Sequence, residues 1–194
     1  MLIVSASASP EPKQGFIDRC LVVAYDQGIK PIIVMTKRDL ADPSDFLSVY
    51  RPLEVESFVL SRDSDLSAIQ NTLRGKTSVL IGHSGVGKST LVNNLSSDEK
   101  RSVGKVNVVT GRGRHTSSSA IAMQLPAGGW IIDTPGVRSF GLEHVEESRV
   151  IGAFPELNRA IASCPKNCHH RSDGCGLDQL IETNPESIAR VESL

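Results

Sequence analysis

A chain of 194 residues, 39% of them hydrophobic, is long enough for one full domain with its own core and a modest appendage, and too short for two large domains. Its net charge of −1 excludes binding to nucleic acid or membranes through a global field, so any basic surface must be local. No apolar run approaches the roughly 20 residues of a membrane span, and Met1 leads into Leu2-Ile3-Val4 without a basic leader, so a soluble cytoplasmic protein with no membrane partner is expected.

Leu2 to Ala6 reads as a buried strand that is entered rather than begun, and the N-terminus is therefore expected to be trimmed. Ser9-Pro10-Glu11-Pro12 breaks the chain. Phe16, Ile17, Cys20, Leu21, Val23 and Ala24 then recur at helical spacing up to Gly28, which puts Cys20 in a core rather than in chemistry. Pro31 to Met35 reads as a second buried strand, delivering Thr36-Lys37-Arg38-Asp39-Leu40 at its C-terminal end, where open α/β sheets hold ligands. An aspartate there can accept from the N1–H and N2–H₂ edge of guanine, which adenine cannot offer, while the Lys37 stem lies along the base. Residues 43–53 carry a short, mixed helical pattern. Val55 to Leu60 is a third strand ending at Ser61, where the backbone N–H of Ser61 or Arg62 can meet a base carbonyl, and Leu66 to Leu73 is a helix.

Lys76 to Ile81 is the fourth strand and runs into Gly82-His83-Ser84-Gly85-Val86-Gly87-Lys88-Ser89-Thr90, followed by Leu91 to Leu95. Strand, glycine loop, helix is the context that the P-loop pattern of Gly82, Gly87, Lys88 and Ser89 requires, with backbone N–H groups pointing inward at a phosphate chain. Lys88 is expected on the β- and γ-phosphates and Ser89 on Mg²⁺. The candidate nucleotide set is thus Thr36, Lys37, Asp39 and Ser61 for the base, with Gly82 and Ser84 through Thr90 (Gly85, Val86, Gly87, Lys88, Ser89) for the phosphates. From Lys100 to Ile132 there is no Asp or Glu, while Lys100, Arg101, Lys105, Arg112, Arg114 and His115 gather early in that span, a segment suited to nucleotide or RNA phosphate. Within the mobile-looking stretch Gly111 to Ser119, Thr116 is a candidate second Mg²⁺ ligand that engages with the γ-phosphate. Ile121 to Leu125 and Trp130 to Ile132 read as two strands joined by a tight turn at Gly128-Gly129. Asp133-Thr134-Pro135-Gly136 follows, with Asp133 as outer-shell Mg²⁺ acceptor and Gly136 letting a backbone N–H approach the γ-phosphate.

Base-reading segments before the phosphate loop reverse the order of ordinary GTPases, as a circular permutation would, which is allowed because the motifs need only share one rim of a sheet. The expected fold is α/β, a doubly wound, mostly parallel P-loop sheet over residues 1–142, followed by a small helical zinc-binding domain over 143–194 that is trimmed at its C-terminus. In that second part Cys164, Cys168, Cys175 and a histidine fall within 12 residues, the donor set of a closed, structural zinc site. His169 and His170 both fit by spacing; His170 is preferred, with His169 turned outward. Helical stretches at 146–162 and 178–194 are too small to fold without such a staple.

The permuted order together with Gly111-Arg112-Gly113-Arg114-His115-Thr116, Asp133-Thr134-Pro135-Gly136-Val137-Arg138, Phe154-Pro155-Glu156-Leu157 and Cys164, Cys168, His170, Cys175 resembles the ribosome small-subunit-dependent GTPase A family of bacteria over nearly the whole chain. The resemblance implies a GTPase that converts GTP to GDP with Mg²⁺, is stimulated by the small ribosomal subunit, acts in its late maturation, and uses a zinc domain for ribosome and rRNA contact. It also implies an N-terminal OB-fold domain for RNA, which these residues do not contain. Thr36 stands where asparagine is usual, so one tether between base loop and phosphate loop is expected to be weaker. Val137 cannot position a water, so slow intrinsic turnover is expected, with His115 or a group from rRNA completing a catalytic set of Lys88, Thr116 and His115. A monomer is expected. Two other readings fit part of the pattern: a nucleotide-gated RNA-binding module with little hydrolysis, and a zinc-stapled P-loop ATPase in which Asp39 is irrelevant.

Overall fold

Strands β1 (Leu2–Ala6) and β2 (Ile32–Thr36) are buried at every residue, as their unbroken apolar runs demand of strands covered on both faces. With β3 (Glu56–Val59), β4 (Thr77–Ile81), β5 (Ile121–Gln124) and β6 (Trp130–Asp133) they form one sheet in the order β3-β2-β1-β4-β6-β5. All neighbours pair in parallel except β5, an antiparallel edge on β6. The fold is α/β. The chain steps outward from β1 to β3 and then returns to the other side of β1 at β4. That reversal opens a crevice beyond the carboxyl ends of β1 and β4, where such sheets bind ligands, and Thr36, Ile81 and Asp133 all end their strands at that rim.

The computed structural model describes residues 1–96, 120–134, 141–142, 145–168, 170 and 174–193. Contacts divide it into two units, one of residues 1–12, 32–44 and 56–138, the other of 13–31, 45–55 and 139–194. In the first unit, helices α3 (Ser67–Leu73) and α4 (Lys88–Ser96) follow β3 and β4. Ile69, Leu73, Leu91, Val92 and Leu95 recur at three- and four-residue steps and pack with Leu2, Val4, Val34, Leu80 and Ile131 in one buried cluster. Each such side chain contributes about 1.5–3 kcal/mol of burial. The β5–β6 link is the tight turn expected: Gly128 N–H donates to Leu125 O at 2.9 Å and Leu125 N–H to Gly129 O at 3.0 Å. Pro126 sets the first bend, and the positive φ of Gly128 and Gly129 (84° and 102°) completes it.

The second unit holds α1 (Gln14–Asp26), most of α2 (Ser44–Ser48), a 3₁₀ turn at Arg51–Leu53, then α5 (Glu147–Gly152), α6 (Pro155–Ile161), α7 (Gly176–Thr183), a 3₁₀ turn at Pro185–Ser187 and α8 (Ile188–Ser193). Pro155 and Pro185 open new elements and split the longer helical stretches read from the sequence. The centre of this unit is polar. Arg190, 3% exposed, ion-pairs with Glu156 of α6, lies 3.9 Å from fully buried Asp18 of α1, and donates to Val49 O at 2.9 Å. Its guanidinium lies 4.8 Å from the Phe154 ring centre and 5.6 Å from that of Tyr50. Arg190 is one of the contacts by which residues 13–31 and 45–55 group with the C-terminal helices, a grouping that differs from a single division at 142/143. Among the described residues no helix is long and apolar enough to cross a membrane.

Candidate functional site

The phosphate loop is shaped by how closely it passes β1. A Cβ at Gly82 would sit 2.3 Å from Val4 O, so any side chain there would force β1 and β4 apart. Gly87 has φ 94°, a left-handed conformation that glycine adopts without strain, and it turns the chain into α4. Lys88 heads that helix and is 7% exposed; its ammonium donates to Gly82 O at 2.7 Å and His83 O at 2.8 Å. Burial lowers the Lys88 pKa, opposed by the Asp133 carboxylate. At the end of β6, burial raises the Asp133 pKa, opposed by Lys88. Asp133 Oδ1 is buried without a hydrogen bond among the described residues, and Thr134 beside it is fastened to Leu80 O. A cavity of ≈ 420 Å³ gathers Ser84, Gly85, Gly87, Lys88, Ser89, Thr90 and Asp133. An orphaned carboxylate oxygen sharing a cavity with the Ser89 hydroxyl is what an oxygen-seeking Mg²⁺ requires.

The base loop is bonded to the phosphate loop. Thr36 is buried, and its hydroxyl donates to Val86 O at 2.6 Å, with Ser5 O at 3.2 Å as a second acceptor. The tether expected to be weak in a chain with threonine here is thus made by the shorter side chain. Lys37 sits at φ 58° and sends its ammonium to Gly85 O at 2.8 Å and to Ser9 O. Ser7 closes the other side, donating to Thr36 O from its N–H at 2.9 Å and its hydroxyl at 2.8 Å. A second cavity of ≈ 350 Å³ adjoins the first through Lys37, Gly87 and Thr90, and is lined by Asp39, Ser61 and Arg62 with Leu40, Leu60 and Leu66 as its apolar wall. Leu60 N–H to Met35 O (2.7 Å) and Arg38 N–H to Leu60 O (3.1 Å) prolong the β2–β3 ladder and bring Ser61 beside Asp39. Of the two N–H groups expected on a base carbonyl, that of Ser61 is taken by Ser64 Oγ at 2.8 Å, while that of Arg62 makes no hydrogen bond among the described residues.

In the second unit Cys164, Cys168, His170 and Cys175 place one donor atom each within 4.8 Å of one another. Cys164 Sγ lies 3.7 Å from Cys175 Sγ, and His170 Nδ1 lies 3.6 Å from both sulfurs. The edges of a zinc–thiolate tetrahedron are about 3.7 Å, so the four residues fit that metal. Backbone N–H groups of His170, Gly176 and Leu177 point at Cys168, Cys164 and Cys175. Burial chiefly pushes the Cys175 thiol up to about 11, a value a cation would reverse. His115, Thr116, Gly136 and His169 lie outside the described residues. Sequence reasoning missed Ser64, the Arg62 side chain and the Ser9 carbonyl as parts of the base side. Only a hydroxyl three residues after Ser61 could have hinted at the first.

The family model described as RsgA GTPase matches residues 1–143. The small ribosomal subunit biogenesis GTPase RsgA of Pseudomonas fluorescens strain SBW25 is 37% identical over 203 aligned residues, covering all of this chain and 59% of that protein. The protein of the same name from Pseudomonas aeruginosa strain LESB58 is 38% identical over 93% of this chain and 56% of its own length. The chain therefore spans under three-fifths of the curated relatives it matches. Among solved structures, YloQ, described as a circularly permuted GTPase, superposes with a TM-score of 0.70 at 26% identity over all of this chain and 64% of that one. YjeQ from Thermotoga maritima shares the fold, with a TM-score of 0.69 at 24% identity over 99% of this chain and 67% of its own. With a family model spanning most of its length and relatives aligned along the rest, the chain belongs to the RsgA GTPase family.

Proposed function

We propose that this chain hydrolyses GTP to GDP and phosphate and serves small ribosomal subunit biogenesis, in contact with that subunit and its rRNA. The observation that carries the reading is the joint between the two loops: Thr36 on Val86 and Lys37 on Gly85 set the Asp39 cavity directly against the Lys88 cavity. A generic phosphate-binding turn has no use for an acceptor carboxylate at that distance from the phosphates. The names of the Pseudomonas relatives support the ribosomal part.

In this reading Asp39 accepts from the guanine N1 and N2 groups, and the phosphates lie along the loop N–H groups of Gly85 to Ser89. Lys88 leaves the Gly82 and His83 carbonyls to meet β- and γ-phosphate oxygens. Ser89 would hold Mg²⁺ directly, Asp133 through an outer-shell water, and Thr116 as the second ligand; when bound, the ion neutralises charge between the β- and γ-phosphates. Gly136 offers its N–H to the γ-phosphate, and His115 or a group from rRNA orders the attacking water once the subunit is engaged. Cys164, Cys168, His170 and Cys175 hold a structural zinc. We further read 1–142 as the GTPase domain and 143–194 as the zinc-binding domain of a cytoplasmic, monomeric protein.

GTP turnover measured with increasing small subunits tests this: slow basal and strongly stimulated rates are expected. Equal GDP and ADP affinity, unaltered by Asp39→Asn, would reduce the site to generic phosphate binding. An unchanged stimulated rate in His115→Ala would remove His115 from the mechanism.

A further inference from the structure

The donors that β2 and the turn after β3 bring to the base-side cavity can be accounted for individually. A threonine hydroxyl has one proton, and that of Thr36 goes to Val86 O at 2.6 Å. The Lys37 ammonium is drawn onto the carbonyls of Ser9 and Gly85. The Ser61 N–H is spent on Ser64 Oγ at 2.8 Å, and the Ser61 hydroxyl lies 3.1 Å from the same oxygen. What remains beside Ser61 is Arg62, with its backbone N–H and an exposed guanidinium that lines the cavity and makes no hydrogen bond or ion pair with any described residue. Asp39, also exposed and lining the same cavity, is equally without a partner among the described residues. Two opposite charges thus line one apolar-walled cavity without pairing to each other.

We propose that Arg62 reads the N7/O6 edge of guanine while Asp39 takes the N1/N2 edge, making Arg62 a second determinant of base specificity. This rests on the guanine-nucleotide reading given above. Guanine shows two acceptors, N7 and O6, on that edge, and an arginine fork matches them with two N–H groups. Adenine keeps N7 but places an amino donor at the O6 position, so the same fork meets one acceptor and one like-polarity group. Arg62 therefore acts twice, gaining an interaction with guanine and opposing adenine. Of the two backbone N–H groups expected on this edge, Ser64 occupies that of Ser61, so the Arg62 guanidinium adds to its own N–H there.

The test is a titration of the 194-residue chain with GDP, 7-deaza-GDP (which has C–H in place of N7) and ADP, for the wild type, Arg62→Ala, Ser61→Ala and Asp39→Asn. The wild type is expected to bind GDP about five- to tenfold tighter than 7-deaza-GDP, the low end for a charged hydrogen bond because Arg62 faces solvent. In Arg62→Ala, GDP should weaken to the 7-deaza-GDP level and the two should agree within about twofold. Ser61→Ala should keep the wild-type ratio. Arg62 is exposed, so its removal leaves the fold intact, and unchanged circular dichroism verifies this. Tight GDP binding with an unchanged GDP to 7-deaza-GDP ratio in Arg62→Ala, or loss of that ratio in Ser61→Ala instead, overturns the role of Arg62 and leaves the guanine site standing. Failure of the wild type to prefer GDP over ADP overturns the guanine site and the role of Arg62 with it.

Discussion

Replacing Thr36 by valine tests whether one hydroxyl joins the two halves of the nucleotide site. Valine matches threonine in shape, so the change removes the bond to Val86 O at 2.6 Å and the second acceptor contact to Ser5 O at 3.2 Å without opening a cavity. Both acceptors belong to buried residues, Val86 at 2% and Ser5 at 6% exposure, so the carbonyls left behind have no ready access to water. A lost buried hydrogen bond costs about 1 kcal/mol and a stranded carbonyl adds about another, giving about 2 kcal/mol in all. For a chain of this size that corresponds to a fall of about 4–8 °C in melting temperature. In the proposed binding mode GDP spans both loops, so a loss of this size should lower its affinity by up to about tenfold, measured by calorimetry on the same samples. Thr36→Ser keeps the hydroxyl and forfeits one buried methyl, a loss of about 0.8 kcal/mol. If Thr36→Val melts and binds GDP like Thr36→Ser, the hydroxyl does not join the loops and the reasoning is refuted.

Arg190→Met should destabilise the protein by about 3 kcal/mol in urea titration, because Asp18 and Glu156 keep their charges in a buried setting; adding Asp18→Asn should restore part of it. Asp133→Asn should stabilise the nucleotide-free protein at pH 7. Burial raises this carboxyl in the folded state, so the folded chain binds the proton more tightly and stability is lost as pH rises through the raised value. The advantage of the variant should shrink toward pH 4 in melting curves, while its Mg²⁺-dependent GTP binding weakens. Metal analysis should find about one zinc per chain, lost in Cys175→Ser with a drop in helical circular dichroism. Zinc entry at neutral pH should release protons to an indicator dye, since burial holds the Cys175 thiol up near about 11 without a cation.

What could be read in the sequence is what local chemistry dictates. The strand-loop-helix around Gly82 to Thr90 follows from glycine spacing and flanking apolar runs, and β1 and β2 from runs too hydrophobic for any place but a sheet interior. The thiol cluster was visible because its donors are close in the chain. Long-range pairings were not visible. Nothing in the local pattern marks Asp18 or Arg190, which lie buried near one another from opposite ends of the chain. The Thr36–Val86 bond spans 50 residues; the resemblance led to a tether between these loops, but its acceptor and its short length depend on a backbone approach that no pattern announces. Helix ends shifted where a side chain caps or a proline interrupts, as at Cys175, which accepts from Leu177 N–H and starts α7 ahead of the expected residue 178.

The strand that occupies the middle of the sheet, β1, is also the earliest of the six to leave a synthesising ribosome. Its partner β2 follows within one helix, but its other flank stays open until β4 arrives. A nascent chain at that stage already displays Lys37 and Asp39 and has nothing to grip a triphosphate. Because polypeptides fold vectorially as they emerge, the Asp39 side of the proposed nucleotide pocket precedes the Lys88 side, and any cargo taken in that mode must wait for the later segment to fill the gap.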